Sequence, residues 1–451
     1  MPALRAAPVQ DGWILPPQTG LTVSVAATDR PRLVRAVSRR QLVGLAINDV
    51  IGSGVYLLPA AAAALLGMSS IFGVILAGLA VALLVLCFAE AASYFDEPGG
   101  AYLYTREAFG SFVGFEVGWM TWLARVASIA SLSNGFALAI AFLWPAASAG
   151  APRVLIIAAL IGVLTWINVV GVKQGAGTAV ALVIAKTVPL VIFVTIGIFF
   201  VDWDTVTTMT TPEPGVLGEA ALLLLFAYAG FENTPAAAGE YRNPQRDVPF
   251  AMLTMIVVVT LLYTGVQLVA LGTLPGIAES GSPVAEAAGT FLGAGGALLM
   301  TIAAMVSIGG NVGNTVLIGP RYLYALAKDG YGPSVLARVH PKYHTPAAAI
   351  ITLSVVSLVL ALTGSFVQLA MLSIIARLTT YIGTAAAVPI LRRRMGGRPN
   401  AVRLPGGPTI PILALLLSLA FLSSATWRNL VAGVIALVIG AGIYMFRRRD
   451  A

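Results

Sequence analysis

The chain has 451 residues, of which 58% are hydrophobic and only 10% are charged, and its mean hydropathy is +0.90. This composition excludes an ordinary soluble domain and is typical of an integral membrane protein. The formal net charge of +8 does not indicate a nucleic-acid-binding protein, because the basic residues cluster at the edges of apolar segments. The single cysteine, Cys87, excludes a disulfide framework and a cysteine metal site.

Residues 1–38 are polar and contain proline, and they lack the basic-then-apolar order of a cleaved signal peptide. We expect a disordered cytoplasmic N-terminal tail there, and one membrane domain over residues 39–447. Apolar windows between Gly, Pro and charge breaks predict twelve spans. Their bounds are 40–66, 70–94, 112–144, 152–172, 176–201, 217–239, 248–273, 291–327, 346–363, 366–391, 408–424 and 427–446.

The 27 Lys and Arg residues are distributed unevenly along these spans. Arg125, Lys186 and Arg377 lie within spans, and Arg153 and Arg428 lie in odd-numbered loops. All the others lie in the tails, in the even-numbered loops or at the helix ends beside them. The positive-inside rule therefore places both termini in the cytoplasm, and we expect a multi-pass protein of the cytoplasmic (inner) membrane.

The first span contains the stretch NDVIGSGVY at residues 48–56. A charge near the bilayer centre is costly and two close glycines weaken a helix, so we interpret Gly52, Ser53 and Gly54 as a break in the helix. Their amides would begin a new half-helix and carry the positive end of its dipole, which suits a carboxylate. Glycine also lets a ligand approach the backbone closely.

The sixth span, LLLLFAYAGFENTPAAAGE, is predicted to be interrupted around residues 229–230 and again at 234–235. At the first interruption the carbonyls of Phe226, Ala227 and Ala229 would lose their partners. They would then present the negative end of a half-helix, which suits an ammonium group.

Spans one and six hold the same position in two blocks of five spans, which is the pattern expected of a transporter built from inverted repeats. Unwound backbone at membrane depth is tolerated only where it is buried in protein or lines a cavity. We therefore predict that both breaks face one central site that holds the main chain of an α-amino acid. For the GSG triplet alone, a close helix-packing face is an equally good interpretation, and the paired break in span six favours the binding site.

Five motifs carry a family resemblance: NDVIGSGVYLLP, EPGGAYLYTREAFG, FAYAGFENTPAAAGEYRNPQRDVP, GPRYLYALAKDGYGP and RLTTYIG. Together they resemble the amino acid-polyamine-organocation superfamily of permeases, over nearly the whole chain after residue 38 and in the family's order. The resemblance implies an all-α membrane protein with a leucine-transporter-like fold and discontinuous helices 1 and 6. Residues 39–201 and 217–392 would be inverted repeats of five helices each, followed by two extra helices at 408–447.

The resemblance also implies roles for residues at the two breaks. Ser53 and Gly54 would contact the substrate carboxylate, and the carbonyls of Phe226, Ala227 and Ala229 would contact the amine. Phe226 would act as an aromatic lid over the substrate. Residues of spans 3, 8 and 10 would contact the substrate side chain, with Ser307 and Asn311 as candidates.

Lys186 lies near mid-membrane on the fifth span. In the family, a lysine at the matching place stands where sodium-coupled relatives hold a sodium ion, bridging the first and eighth helices. Lys186 is either a structural cation bonded to freed carbonyls of the first helix or a proton carrier, because burial of an ammonium group favours its neutral form. Asp49, one turn before the first break, either pairs with Lys186 or faces a water-filled cytoplasmic vestibule, and we favour the vestibule.

Glu232, between the two interruptions of span six, could hydrogen-bond the open backbone or carry protons, and we favour the structural role. Family relatives that resemble cationic amino acid transporters often have a glutamate in the third span, where GWMTWLAR has Ala124 followed by Arg125. This difference argues against a third-span proton carrier and against a cationic substrate. Glu90 and Glu116 are interpreted as partners of nearby basic groups.

His340 and His344 are four residues apart, as two metal ligands on one helix could be. Pro341 and Pro346 interrupt that segment, so we favour a loop and predict no metal and no cofactor. An enzyme would need a nucleophile with its base or a metal cluster in a span, and neither is present in the sequence. A channel is disfavoured because paired broken helices suit alternating access.

These observations predict a secondary active transporter that moves a neutral amino acid by alternating access, with proton-coupled symport and without sodium. The alternative is an amino acid or amine exchanger, and a carrier of cationic amino acids or polyamines is less favoured. The expected partners are the amino acid, the proton and the lipid bilayer, with no nucleic acid. The sequence leaves the oligomeric state and the particular amino acid open.

Overall fold

The apolar runs of the sequence fold into helices that pack side by side, since only helices or closed barrels satisfy the backbone in lipid. A computed structural model of the chain describes residues 37–95, 99–171, 176–208, 211–398 and 401–446, and of residues 176–180 and 236–240 the backbone alone. The predicted disordered tail, residues 1–38, lies outside the described residues except for its last two. Apart from one isolated bridge between Val37 and Tyr241, the described chain contains no β-structure.

The helices follow the predicted spans closely. Their bounds are α1 Arg39–Val50, α2 Gly54–Leu66, α3 Ser70–Ser93, α4 Gly100–Phe109, α5 Ser111–Ala141, α6 Gly150–Val170, α7 Ala176–Gly197, α8 Trp203–Val206, α9 Pro214–Tyr228, α10 Pro244–Thr273, α11 Pro283–Lys328, α12 Ala347–Thr363, α13 Phe366–Met395, α14 Thr409–Ser423 and α15 Trp427–Met445. A 3₁₀ helix over Phe231–Glu240 continues the chain after α9.

Within the described residues, eight helical stretches are long and apolar enough to cross a membrane, and α9, α12 and α14 are shorter apolar helices. These stretches confirm the prediction of an all-helical membrane protein. The number of spans, twelve, and the inverted repeat stay predictions. Two interrupted membrane crossings would each leave two short helical pieces. Helices α1 and α2 fit the first crossing, and α9 with its 3₁₀ continuation fits the second.

Helix α5 packs against α11 and α13, α3 packs against α10, and α2 packs against α9. Helix α2 and the C-terminal part of α9, which adjoin the two breaks, are largely buried in the bundle. Helices α6 and α15 instead expose large apolar side chains, such as Trp166 and Val438. Such surfaces suit lipid contact, so the packing separates an inner group of helices around the breaks from an outer group.

Helices α4 and α11 differ from the sequence prediction, and the short helix α8 over Trp203–Val206 was not predicted either. Helix α4, over Gly100–Phe109, was not predicted, because its sequence GAYLYTREAF has no apolar run long enough for a span. Helix α11 begins at Pro283, eight residues before the predicted start of the eighth span, and bends at Gly293, which has φ of 66°. A hydropathy window detects membrane depth and misses helix that continues beyond it.

Glu90 pairs with Arg392 through two contacts, Arg392 Nε to Oε1 at 2.7 Å and Nη2 to Oε2 at 2.6 Å. The backbone amide of Leu404 donates to the same carboxylate at 3.0 Å. The interpretation of Glu90 as a partner of a basic group is therefore confirmed. The same interpretation of Glu116 is wrong: its carboxylate is buried beside Gly440, and no described group hydrogen-bonds to it.

Candidate functional site

The first crossing is broken where the sequence predicted it. Helix α1 ends at Val50, Ile51 is extended with φ of −69° and ψ of 100°, and α2 begins at Gly54. The carbonyl of Ser53 accepts hydrogen bonds from the amides of Tyr56 and Leu57 at 3.1 and 3.0 Å. The first amides of α2 have no intrahelical acceptor, so they form a positive helix end at the break.

The second crossing breaks beside the first. Helix α9 ends at Tyr228, Ala229 is extended with φ of −65° and ψ of 140°, and Gly230 has φ of 128°. A Cβ at Gly230 would collide with the backbone of Asp49, whose carbonyl carbon would lie 2.9 Å away. Only glycine therefore fits where the two breaks touch, both for its backbone conformation and for its size.

A pocket lies between the two breaks, and its lining joins residues of both. It contains the predicted Gly52, Ser53, Gly54, Phe226, Ala227, Ala229, Asp49 and Asn311, together with Val50, Arg125, Ser128, Leu132, Gly230, Asn233, Asn314, Thr315 and Arg377. The cavity volume is about 30 Å³, which is room for water and not for an amino acid. The side chain of Ser53 is buried, and its hydroxyl has no hydrogen-bond partner among the described atoms.

Gly54 also serves helix packing. A Cβ at Gly54 would lie 2.6 Å from the Cα of Ala227 and 2.8 Å from its Cβ. The close approach of α2 and α9 thus needs glycine here, as the packing interpretation of the triplet expects. Packing and pocket lining coexist at Gly54, so the two interpretations of the triplet do not exclude each other.

Lys186 is fully buried and lies against the first break. Its Nζ donates to the carbonyls of Asn48 at 3.3 Å and Ile51 at 3.2 Å, and to Oδ1 of Asn311 at 3.0 Å. The ammonium group thus links the end of α1 to α11. These are the contacts that a structural cation bonded to freed carbonyls would make.

Asp49 lies on the pocket lining. One of its carboxylate oxygens accepts a hydrogen bond from Nδ2 of Asn314 at 2.6 Å. Within the described residues, the carboxylate of Asp49 is therefore hydrogen-bonded to the Asn314 amide and not to Lys186. Its position between the pocket and α11 is compatible with the vestibule interpretation.

Ser307 and Asn311 both contact the first break from α11. Ser307 Oγ lies 3.2 Å from the carbonyl of Ile51 and 3.3 Å from that of Gly52. Asn311 packs against Gly52, where a Cβ would collide with its amide. Of the two candidates for contact with the substrate side chain, Asn311 lines the pocket. Ser307 is not part of the lining and instead contacts the backbone of the first break.

Glu232 is buried beneath the second break. Its Oε2 accepts from the amide of Gly230 at 3.0 Å, which is the backbone contact favoured from the sequence. Its Oε1 contacts Nη2 of Arg125 at 3.3 Å and also Nη1 of Arg377. Arg125 and Arg377 reach this carboxylate from α5 and α13, so three separate parts of the chain meet here.

Several residues of the site were not found from the sequence. The hydroxyl of Tyr263, on α10, lies 3.1 Å from the carbonyl of Val50 and 3.1 Å from that of Ala227, one on each break. Asn314 was also missed. The available signal was a polar side chain within an apolar span, since such residues usually face the protein interior.

The histidines do not form part of the site. The amide of His344 donates to the carbonyl of His340 at 2.9 Å, and Nδ1 of His340 accepts from the amide of Lys342 at 3.2 Å. Both lie in the turn before α12, as the loop interpretation predicted. In the described part of the chain, no three His, Cys, Asp or Glu side chains group as metal ligands would.

Residues 37–445 match the family model described as amino acid permease. Among the relatives, the branched-chain amino acid permease BcaP of Bacillus subtilis is 28% identical, over 94% of this chain and 96% of the relative. The serine/threonine exchanger SteT of Bacillus subtilis is 30% identical, over 90% of this chain and 95% of the relative. The methylthioribose transporter of the same organism is 29% identical, over 92% and 94%.

The family model and the names of these relatives identify this helical multi-pass membrane protein as a permease and not an enzyme. The chain belongs to the amino acid permease family, and its resemblance to the amino acid-polyamine-organocation superfamily is thereby confirmed.

Proposed function

We propose that this permease is a secondary active transporter that carries an α-amino acid across the cytoplasmic membrane by alternating access. The observation that carries the proposal is the contact of two helix breaks around one pocket, at Gly230 and Asp49. Two relatives are named as an amino acid permease and an amino acid exchanger, which supports an amino acid as substrate. The relative named for methylthioribose is the reason to test that assignment directly.

In this proposal the substrate's main chain lies between the breaks. The amides at the start of α2 and the unpartnered hydroxyl of Ser53 receive the carboxylate. The carbonyls of Phe226, Ala227 and Ala229 receive the ammonium group. The aromatic ring of Phe226 meets Phe366 edge-on with centroids 6.0 Å apart, a contact that separates when a lid opens. The small cavity volume implies that the walls move apart to admit substrate.

For coupling, we propose proton symport without sodium. Lys186 Nζ already binds carbonyls at the end of α1, so the oxygens that a sodium ion would need are engaged by an ammonium group. Exchange is the second candidate, favoured by the relative named as a serine/threonine exchanger. The sequence predicts a neutral substrate, and the two guanidinium groups on the pocket lining oppose a cationic one.

The architecture proposed with this function is the leucine-transporter-like one. It has twelve spans, inverted repeats over residues 39–201 and 217–392, two extra helices over 408–447, and a cytoplasmic tail over 1–38. Both termini are in the cytoplasm. The break of α1 and α2 and the break after α9 support it, because they hold matching positions in the two predicted repeats.

Uptake into proteoliposomes tests the proposal. Purified protein is reconstituted in sodium-free buffer, and initial uptake of a panel of radiolabelled amino acids is measured with and without an imposed proton gradient. Saturable uptake of unmodified amino acid that the gradient stimulates is the expected result. Uptake that requires an amino acid inside the vesicles would indicate exchange. Flux that does not saturate, or chemical conversion of the solute, would refute the proposal.

A serine variant tests the carboxylate site. Ser53→Ala removes the buried hydroxyl, and the expected result is an increase of KM by about threefold to tenfold, since one hydrogen bond contributes about 1 kcal/mol. Ser423→Ala, on the exposed side of α14, is the matched control. Equal KM values for the two variants would remove Ser53 from the substrate contacts.

A further inference from the structure

Charged side chains meet on the pocket lining in unequal numbers. Arg125 and Arg377 are 2% and 5% exposed, and both line the pocket. Both contact the same oxygen of Glu232, which is 4% exposed. The other carboxylate oxygen of Glu232 accepts a hydrogen bond from the amide of Gly230. Two guanidinium groups therefore share one carboxylate in a place without bulk water.

The N–H groups of the two arginines that do not contact Glu232 have few hydrogen-bond acceptors nearby. Arg377 donates from Nη2 to Ser128 Oγ at 2.8 Å and from Nε to Ser373 Oγ at 3.3 Å. The Nε of Arg125 has no hydrogen-bond partner in the part of the chain that the structure describes. A guanidinium group has several N–H donors and no acceptor, so this wall of the pocket offers donors in excess.

The other charged groups near the pocket do not correct the imbalance. Asp49 and Lys186 are one acid and one base, so together they add no net charge, and Asp49 is bonded to Asn314 and not to Lys186. Arg125 and Arg377 against Glu232 leave one positive charge without a counter-charge. A buried charge without a partner is costly, so the site lacks one negative charge. Paired arginines are also the side chains best suited to bind a carboxylate through two parallel hydrogen bonds.

We propose that the pocket takes an acidic α-amino acid, one whose side chain ends in a carboxylate, and that this carboxylate binds Arg125 and Arg377. The proposal rests on the proposed function, and it replaces the neutral side chain predicted from the sequence. A glutamate or aspartate carries one net negative charge, which is the charge that the site lacks. Its main chain occupies the two breaks, and its side chain extends toward α5 and α13.

Matched pairs of ligands test the proposal on the wild-type protein. Glutamate and glutamine, and aspartate and asparagine, differ in a carboxylate against an amide of nearly the same shape. Each is measured as a thermal stabiliser of the detergent-purified protein and as an inhibitor of uptake into proteoliposomes. The acidic member of each pair is expected to act at about tenfold lower concentration, a difference of about 1.4 kcal/mol. Equal potency, or greater potency of the amides, overturns the proposal.

An inorganic anion could supply the same negative charge, so chloride is tested alone. Stabilisation by chloride that the acidic amino acids do not increase would mean a resident ion, and it would overturn the proposal. Saturable uptake of neutral amino acids without uptake of acidic ones would overturn this proposal and leave the transport proposal standing. Failure of every amino acid, acidic or neutral, to bind or cross would refute both.

A variant assigns the effect to the arginines. Arg125→Gln leaves Glu232 paired with Arg377, and it is expected to reduce the preference for glutamate over glutamine by about tenfold. Arg428→Gln, an exposed arginine on α15, is the control. Should Arg125→Gln fail to fold, Arg125→Lys keeps the charge without the paired donors and is expected to keep part of the preference. An unchanged preference in the folded variant overturns the assignment to Arg125.

Discussion

Replacement of Lys186 by methionine gives the sharpest test of how the first break is held. Methionine has nearly the length of lysine but no ammonium group. The change removes three hydrogen bonds from Nζ, at 3.3, 3.2 and 3.0 Å, and leaves the carbonyl of Asn48 and Oδ1 of Asn311 without a donor. The carbonyl of Ile51 keeps the hydroxyl of Ser307 at 3.2 Å. The lysine is fully buried, so water cannot readily replace it.

Each orphaned buried acceptor costs about 1 kcal/mol or somewhat more, so the two together cost about 2 kcal/mol. Removal of a buried ammonium group also relieves its desolvation, which reduces the cost to the whole fold. The loss at the break remains, because the carbonyl of Asn48 has no new partner. A local cost of about 2 kcal/mol corresponds to roughly a thirtyfold change in an equilibrium constant. We therefore expect Lys186→Met to insert normally and to transport at a small fraction of the wild-type rate.

The assay compares initial uptake driven by a proton gradient with exchange in its absence, at acid, neutral and alkaline pH. A structural cation predicts loss of both activities at every pH. A proton carrier predicts loss of gradient-driven uptake and survival of exchange, with an altered pH dependence. Lys342→Met, which changes an exposed lysine, is the control. Wild-type rates for Lys186→Met at every pH would refute the reasoning.

Two further changes address the contact between the breaks. In Gly54→Val the new side chain would meet Ala227, whose Cα lies 2.6 Å from the added Cβ, and overpacking of this kind costs about 1–3 kcal/mol. Transport should be lost while the protein stays in the membrane, whereas Gly44→Val, where a Cβ meets nothing within 4 Å, should transport normally. Tyr263→Phe removes a hydroxyl that contacts Val50 and Ala227 and should cost about 1 kcal/mol, lowering the uptake rate several-fold. Retained uptake by Gly54→Val, or unchanged kinetics of Tyr263→Phe, would contradict these expectations.

Much of the fold follows from the sequence because a span must be apolar over the thickness of a bilayer. The predicted span 70–94 corresponds to Ser70–Ser93, and 427–446 corresponds to Trp427–Met445. Helix α4 could not be found in the same way, because it is short and polar. The added length of α11 before Gly293 was missed because an apolar window does not register helix that continues past it.

The breaks at Gly52 and Gly230 were predictable because glycine reports backbone conformation locally. The second interruption predicted in span six, at 234–235, was wrong, because the 3₁₀ helix over Phe231–Glu240 continues through Pro235. The partners of Glu232 were not predictable, since Arg125 and Arg377 are far from it and from each other along the chain, and periodicity carries no information about which helices become neighbours. Without that contact, each arginine could be recognised only as a buried charge. For the same reason, the sequence did not predict that Tyr263 lies between the two breaks.

Tyr263 holds one proton between two acceptors of equal distance, the carbonyls of Val50 and Ala227. A hydroxyl donates one hydrogen bond at a time, so whichever carbonyl it leaves is free for another donor. Rotation about a single C–O bond can then pass the hydrogen bond from the carbonyl at the first break to the carbonyl at the second without a net loss. A shift of α1 relative to α9 therefore need not leave the Tyr263 hydroxyl without an acceptor, and it does not require α10 to move.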